Sequence, residues 1–157
     1  MTSRYLVRSA CIAAVYVLMT VCLTPFSWDL IQCRVSEALC VLPLFTSASI
    51  PGLFVGCVLA NLLMGLPLPD VLFGSLATLL AALCTYGMRR HVTKFLSPLP
   101  SVLFNAVIVA ALLVHVYHIG QPYWLCVSYI AIGQAIACFG LGIPLLLTFE
   151  RLPRLWR

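Results

Sequence analysis

Charge is what this chain has least of. Of its 157 residues only 8% are Asp, Glu, Lys or Arg, against about 25% in a soluble domain, which leaves no room for a separate water-exposed domain. Lysine occurs once, at Lys94, and no G-x-x-x-x-G-K-[ST] run is present, so the chain cannot hydrolyse ATP by a P-loop mechanism. H-E-x-x-H and G-x-S-x-G are missing too, which removes the commonest metalloprotease and serine-hydrolase signatures. The eight cysteines stand singly with no C-x-x-C, a distribution that suits small apolar fillers rather than a disulfide framework or a metal site. His115 and His118 are spaced i, i+3 but have no third ligand of the right type nearby in sequence, so they read as an interfacial polar pair. No metal and no cofactor is expected. The net charge of +5 is divided among separate clusters at the ends of apolar runs, which is not the footprint of a nucleic-acid binder.

What the chain has in abundance is apolar surface: 63% hydrophobic residues and a mean hydropathy of +1.11. These values predict an all-α protein of the lipid bilayer. Crossing the hydrocarbon takes about 20 residues of helix. Charges and Pro/Gly punctuation divide the sequence into six apolar segments: Leu6 to Pro25, Leu30 to Phe45, Ile50 to Leu66, Pro69 to Met88, Pro98 to His118 and Tyr123 to Phe149. The second is short and polar at its start. The N-terminal run could mimic a signal peptide, but no A-x-A-like site follows it; Pro25, Phe26 and Trp28 look like a helix end at the membrane surface, so a retained first span is expected.

Six spans with both termini in the cytoplasm put Arg4 and Arg8, then Arg89, Arg90 and Lys94, then Arg151, Arg154 and Arg157 on the inner side. Asp29 and Asp70 fall outside. This follows the positive-inside rule, with Arg34 as the exception. The whole chain, residues 1–157, reads as one integral-membrane domain. Small residues recur at helix-packing spacing: Ala10 and Ala14 on the first segment, Gly52, Gly56 and Ala60 on the third, Gly74, Thr78 and Ala82 on the fourth. In lipid such residues let backbones approach closely.

Polar residues inside the apolar segments carry the functional signal. They are Gln32, Arg34, Glu37, Asn61, Asn105 and Gln134. An ionisable side chain at membrane depth costs about 2.5–3.5 kcal/mol on insertion scales, so it needs a reason to be there. If their segment is helical, Arg34 and Glu37 share a face, where they can pair with each other, line a polar cavity or meet a ligand. The amides, taken singly, serve interhelical hydrogen bonding as readily as ligand contact. A carboxylate accepts two parallel N–H bonds from the edge of a guanine-like base, carboxamides serve its carbonyl and ring nitrogens, and an aromatic such as Phe26, Trp28, Tyr123 or Trp124 can stack on its face. This chemistry permits a purine-like solute without demanding one.

Four ordered blocks carry a resemblance. Arg34-Val35-Ser36-Glu37-Ala38-Leu39-Cys40-Val41-Leu42-Pro43 is similar to the R-[IV]-[SA]-E-A-L-x-x-L-P signature of the QueT family. Ile50 to Cys57 with Ala60-Asn61, Asp70 to Ala82, and Pro98 to Pro100 with Phe104-Asn105-Ala106 are similar to its later blocks. The resemblance implies the six-transmembrane-helix fold of an S component, the substrate-binding subunit of an energy-coupling-factor (ECF) transporter. Its solutes would be queuosine precursors, which are 7-deazaguanine bases. It also implies a separate ECF module, a transmembrane T component with two ATPases, touched by Ala10 and Ala14 of the first helix, and a location in the cell membrane. Glu37 is then expected to read the guanine-like edge, with Arg34 positioning it or touching the solute. Asn61, Asn105 and Gln134 would make amide contacts, and Trp28 and Gln32 would stand at the outer gate. One departure concerns the sixth helix, where the family often has Gly-Glu and this chain has Gly133-Gln134; if that acid binds a cationic aminomethyl group, an amide there weakens the contact, and the solute is then neutral at that position, such as a nitrile-bearing base, or differs in its side group. The rival readings are an S component for another small solute such as a vitamin, a membrane-embedded enzyme using Arg34 and Glu37, and a membrane scaffold without transport.

Overall fold

A computed structural model describes residues 3–23, 34–91 and 93–151. Trp28 and Gln32 lie outside the described residues, so the expected outer gate is not tested. The described chain is helical with no strand. Its elements are α1 (Ser3–Leu23), a 3-10 helix (Val35–Leu44), α2 (Ser49–Leu63), α3 (Leu68–Met88), a short 3-10 turn (Lys94–Leu96), α4 (Leu99–His115), α5 (Tyr123–Ala135), a π-helical segment (Ile136–Leu141) and α6 (Gly142–Arg151). The last three run on as one helical stretch of 29 residues.

Four stretches are long and apolar enough to cross a bilayer: Ser3–Leu23, Leu68–Met88, Lys94–His115 and Tyr123–Arg151. Val35–Leu44 and Ser49–Leu63 are apolar but shorter, at 10 and 15 residues. Each of the six apolar segments expected from sequence thus contains a helix among the described residues, and four of these helices have the length of a span. Proline and glycine set several boundaries. Pro69 and Pro100 sit in the first turns of α3 and α4, where a missing N–H costs nothing. Gly65 and Gly120, at φ +68° and +66°, supply the left-handed turns that end the α2 and α4 regions.

Helices adjacent in sequence pack on one another, α1 on α2, α2 on α3, α3 on α4 and α4 on α5. The 3-10 helix lies inside this arrangement, against α1, α2, α3, α6 and the π segment. Every residue from Ser36 to Pro43 is buried. A ten-residue 3-10 helix is long for its kind, since such runs seldom exceed 3–4 residues. Here packing on all sides, rather than intrinsic preference, holds it. Leu39 and Leu42 join Tyr16, Leu53, Cys57 and Ala82 in one apolar cluster. Cys40 and Val41 join Val102, Cys138 and Leu146 in another. Large apolar side chains elsewhere point outward, among them Leu18, Leu63, Leu72, Trp124 and Ile136. That is the surface expected of helices bathed in lipid rather than water.

The α1–α2 contact is the closest in the fold. A Cβ on Gly52 would come within 2.8 Å of the Ser9 carbonyl oxygen, and one on Gly56 within 2.9 Å of Tyr16 Cβ. These two positions of the Gly52, Gly56, Ala60 ladder thus serve internal packing. Ala10 and Ala14 of α1, by contrast, are exposed.

Candidate functional site

The 3-10 helix sets Glu37 at the centre of the molecule, 2% exposed. Its neighbours come from both flanking helices. The Tyr16 hydroxyl on α1 donates to Glu37 Oε1 at 2.9 Å. The Ser101 hydroxyl on α4 donates to Oε2 at 2.7 Å, and Asn105 Nδ2, one turn further along α4, lies 3.5 Å from the same oxygen. Asn105 also donates to the Ser101 carbonyl at 3.0 Å. On the other side Thr20 donates to Ser36 Oγ at 2.8 Å, joining α1 to the residue before Glu37. The Cys138 thiol of the π segment lies 3.7 Å from the Glu37 carbonyl oxygen and 3.6 Å from Gln134 Oε1. Both carboxyl oxygens are thus held by neutral donors, so the buried group is hydrogen-bonded.

Arg34 does something else. It precedes the 3-10 helix with an extended backbone, φ −82° and ψ 107°, so it does not share a helical face with Glu37. Its guanidinium donates to Asn61 Oδ1 at 3.2 Å. Asn61 is fully buried and donates in turn towards Cys57 Sγ, at 3.6 Å, and the Asp70 carbonyl oxygen, at 3.4 Å. No ion pair joins Arg34 to Glu37; among the described residues the ion pair is Lys94–Glu150, at 2.7 Å on the surface.

Of the expected site residues, Glu37 and Asn105 therefore meet directly. Gln134 reaches the site through Cys138, and Arg34 with Asn61 forms an adjoining polar pair. Tyr16, Ser101, Ser36 and Thr20 belong to the same cluster and were not singled out from sequence. The signal was present: Tyr16 and Thr20, like Ser101 and Asn105, are polar residues spaced i, i+4 in apolar helices, which puts each pair on one face.

A cavity touches the carboxylate, lined by residues including Tyr16, Ser36, Glu37, Thr78, Ala82 and Ser101, with a volume of about 10 Å³. That is room for one water at most, whereas pockets for small organic ligands begin near roughly 300 Å³. The arrangement is a closed one, and a solute reaches Glu37 only if neighbouring elements move.

The sequence pattern of one family, described as QueT transporter, matches residues 6–151 of the chain. The chain belongs to the QueT transporter family. No curated protein and no solved structure matches it significantly. Membership of QueT makes this a membrane transport protein and not an enzyme. The reading of Arg34 and Glu37 as an acid–base pair is set aside on that ground, and the separate hydrogen-bond partners of the two side chains agree. The match covers every residue of the Glu37 cluster, from Tyr16 to Cys138.

Proposed function

We propose that this QueT protein is the S component of an ECF transporter, importing a queuosine precursor across the cell membrane with energy from a separate T component and two ATPases. In this reading it forms a single multi-pass domain of six membrane segments with both termini inside. The two short helices, Val35–Leu44 and Ser49–Leu63, complete the six. The clustering of Arg4 and Arg8, of Arg89, Arg90 and Lys94, and of the C-terminal arginines supports that orientation. The Lys94–Glu150 bond is consistent with it, because it brings two of those clusters to the same end.

One observation carries the choice of solute: a carboxylate buried to 2% exposure in the middle of a transporter, surrounded by hydroxyl and amide donors rather than a cation. Desolvating such a group is costly, and its retained acceptor capacity suits the paired N–H groups on the edge of a 7-deazaguanine base. Asn105, beside the same oxygen, is placed to serve the carbonyl or a ring nitrogen. Gln134, an amide rather than an acid, favours a neutral substituent such as a nitrile. Ala10 and Ala14, exposed on α1, are the proposed contact with the T component.

The test is equilibrium binding of queuine, its nitrile and aminomethyl precursors, and guanine to the purified chain in detergent. One deazapurine should bind far more tightly than guanine, and Glu37→Gln should abolish most of that affinity while the protein stays folded. Unchanged affinity in the Gln variant sinks the assignment of Glu37. Binding of a vitamin instead would move the protein to another solute class.

A further inference from the structure

Glu37 is the natural hydrogen-bond acceptor for a solute, yet its two oxygens are already engaged, one by α1 and one by α4. The Ser101 and Asn105 donors lie on α4, which is packed between α3 and α5. The Tyr16 donor lies on α1. Of the four long apolar stretches, α1 is the most peripheral: 17% of its most apolar window is buried, against 39–50% for the others. Its main contact runs over Gly52 and Gly56 of α2, where the Ile12 and Tyr16 side chains of α1 lie against the glycine backbones. If the core opens, displacing α1 uncovers the least buried surface. The Tyr16 side chain also lines the 10 Å³ cavity, so its departure both frees Oε1 and enlarges the space beside it.

The same helix faces outward through Ala10 and Ala14. Ala13, Tyr16 and Thr20 form its buried face, and the two exposed alanines flank that face, with Ala10 one turn from Ala13. A rigid helix cannot shift its Tyr16 backbone without shifting that outer face.

We propose that Tyr16 is a displaceable cap on Glu37: its hydroxyl holds the carboxylate oxygen that a solute N–H group takes over, and its release moves α1 together with the exposed Ala10–Ala14 face. The proposal rests on Glu37 being the solute's acceptor, and adds which donor yields and which surface reports the exchange. Tyr16 thereby sets affinity by competition. Ser101 and Asn105 stay in place and orient the carboxylate.

The test uses Tyr16→Phe, which removes the hydroxyl and keeps the ring. If that chain does not fold, Tyr16→Met fills similar space without a donor. The first measurement is affinity for the nitrile-bearing 7-deazaguanine. Loss of a competing hydrogen bond should tighten binding about three- to tenfold, whereas a tyrosine that merely supports the fold would leave affinity unchanged or weaken it. The second needs no solute: the rate at which an apolar carbodiimide labels Glu37, followed by mass spectrometry. Uncapping Oε1 should raise that rate severalfold over wild type. Equal or weaker binding in a folded variant overturns the cap, and so does an unchanged labelling rate. If wild type binds no deazapurine, the solute assignment above falls, and the labelling rate alone decides whether Tyr16 caps Glu37.

Discussion

Two glutamates occupy opposite circumstances in this protein. Glu150 is near the end of α6, over a third exposed, with both its oxygens within 2.8 Å of Lys94 Nζ. Glu37 is sealed in the core and, among the described residues, meets no cation within ion-pair distance, only hydroxyls and an amide. At the surface, water already solvates both charges, so an ion pair adds little. In the core a carboxyl group without hydrogen bonds would be prohibitive, and three neutral donors make it tolerable. A chain that needed only a stable core would place a leucine there. The contrast is consistent with the proposed role of Glu37 in recognition, while Glu150 tethers Lys94 at the surface.

The comparison can be broken most severely by exchanging each acid for its amide. Glu37→Gln should reduce solute affinity at least about 100-fold, since a site built to bond a polar edge loses heavily when one partner changes character; Glu150→Gln should leave binding unchanged in the same assay. Next in size is Ser101→Ala, which strips the 2.7 Å donor from Glu37 Oε2 and should lower stability by about 1–3 kcal/mol, read from thermal or denaturant unfolding in detergent. Gly56→Ala should cost about 1–3 kcal/mol by overpacking, because its new Cβ would lie 2.9 Å from Tyr16 Cβ and 3.1 Å from the Ala13 backbone. Lys94→Ala should cost less than about 1 kcal/mol, and the difference should shrink further in high salt.

The smallest effect concerns the opposite end of the molecule, where Tyr117 donates its hydroxyl to Asp70 Oδ2. That bond, more than burial, pushes the Tyr117 ionisation up to about 12. A tyrosine raised on folding stabilises the folded form fully below its ordinary value near about 10, and loses that contribution as pH climbs through the raised one. Ultraviolet titration should therefore show late tyrosine ionisation, part of which returns to the ordinary range in Asp70→Asn.

Much of this was legible in the residues. Hydropathy located the long helices to within a few positions, because a lipid-facing helix must be apolar along its whole length. Glu37 and Asn105 stood out for the same reason, as polar groups where polarity is expensive. The 3-10 winding of Val35–Leu44 was not legible: a segment buried on every side has no polar face, so its period leaves no mark. That winding begins one residue too late to include Arg34, which explains why the expected Arg34–Glu37 face did not form and Arg34 turned to Asn61 instead. Tyr16 and Ser101 escaped notice because a tyrosine or serine in an apolar run is unremarkable by composition; their importance lies in which helix they face.

The ten residues of the 3-10 helix cover about 20 Å at a rise of about 2.0 Å each, where the same ten in an α-helix would cover about 15 Å. The central strut of the molecule is therefore an extended spring at fixed residue count. Rewinding it would draw Arg34 and Phe45 together by nearly the height of one α-turn and turn each successive side chain through 100° instead of about 120° from its predecessor. That change would turn Glu37 relative to its donors on α1 and α4.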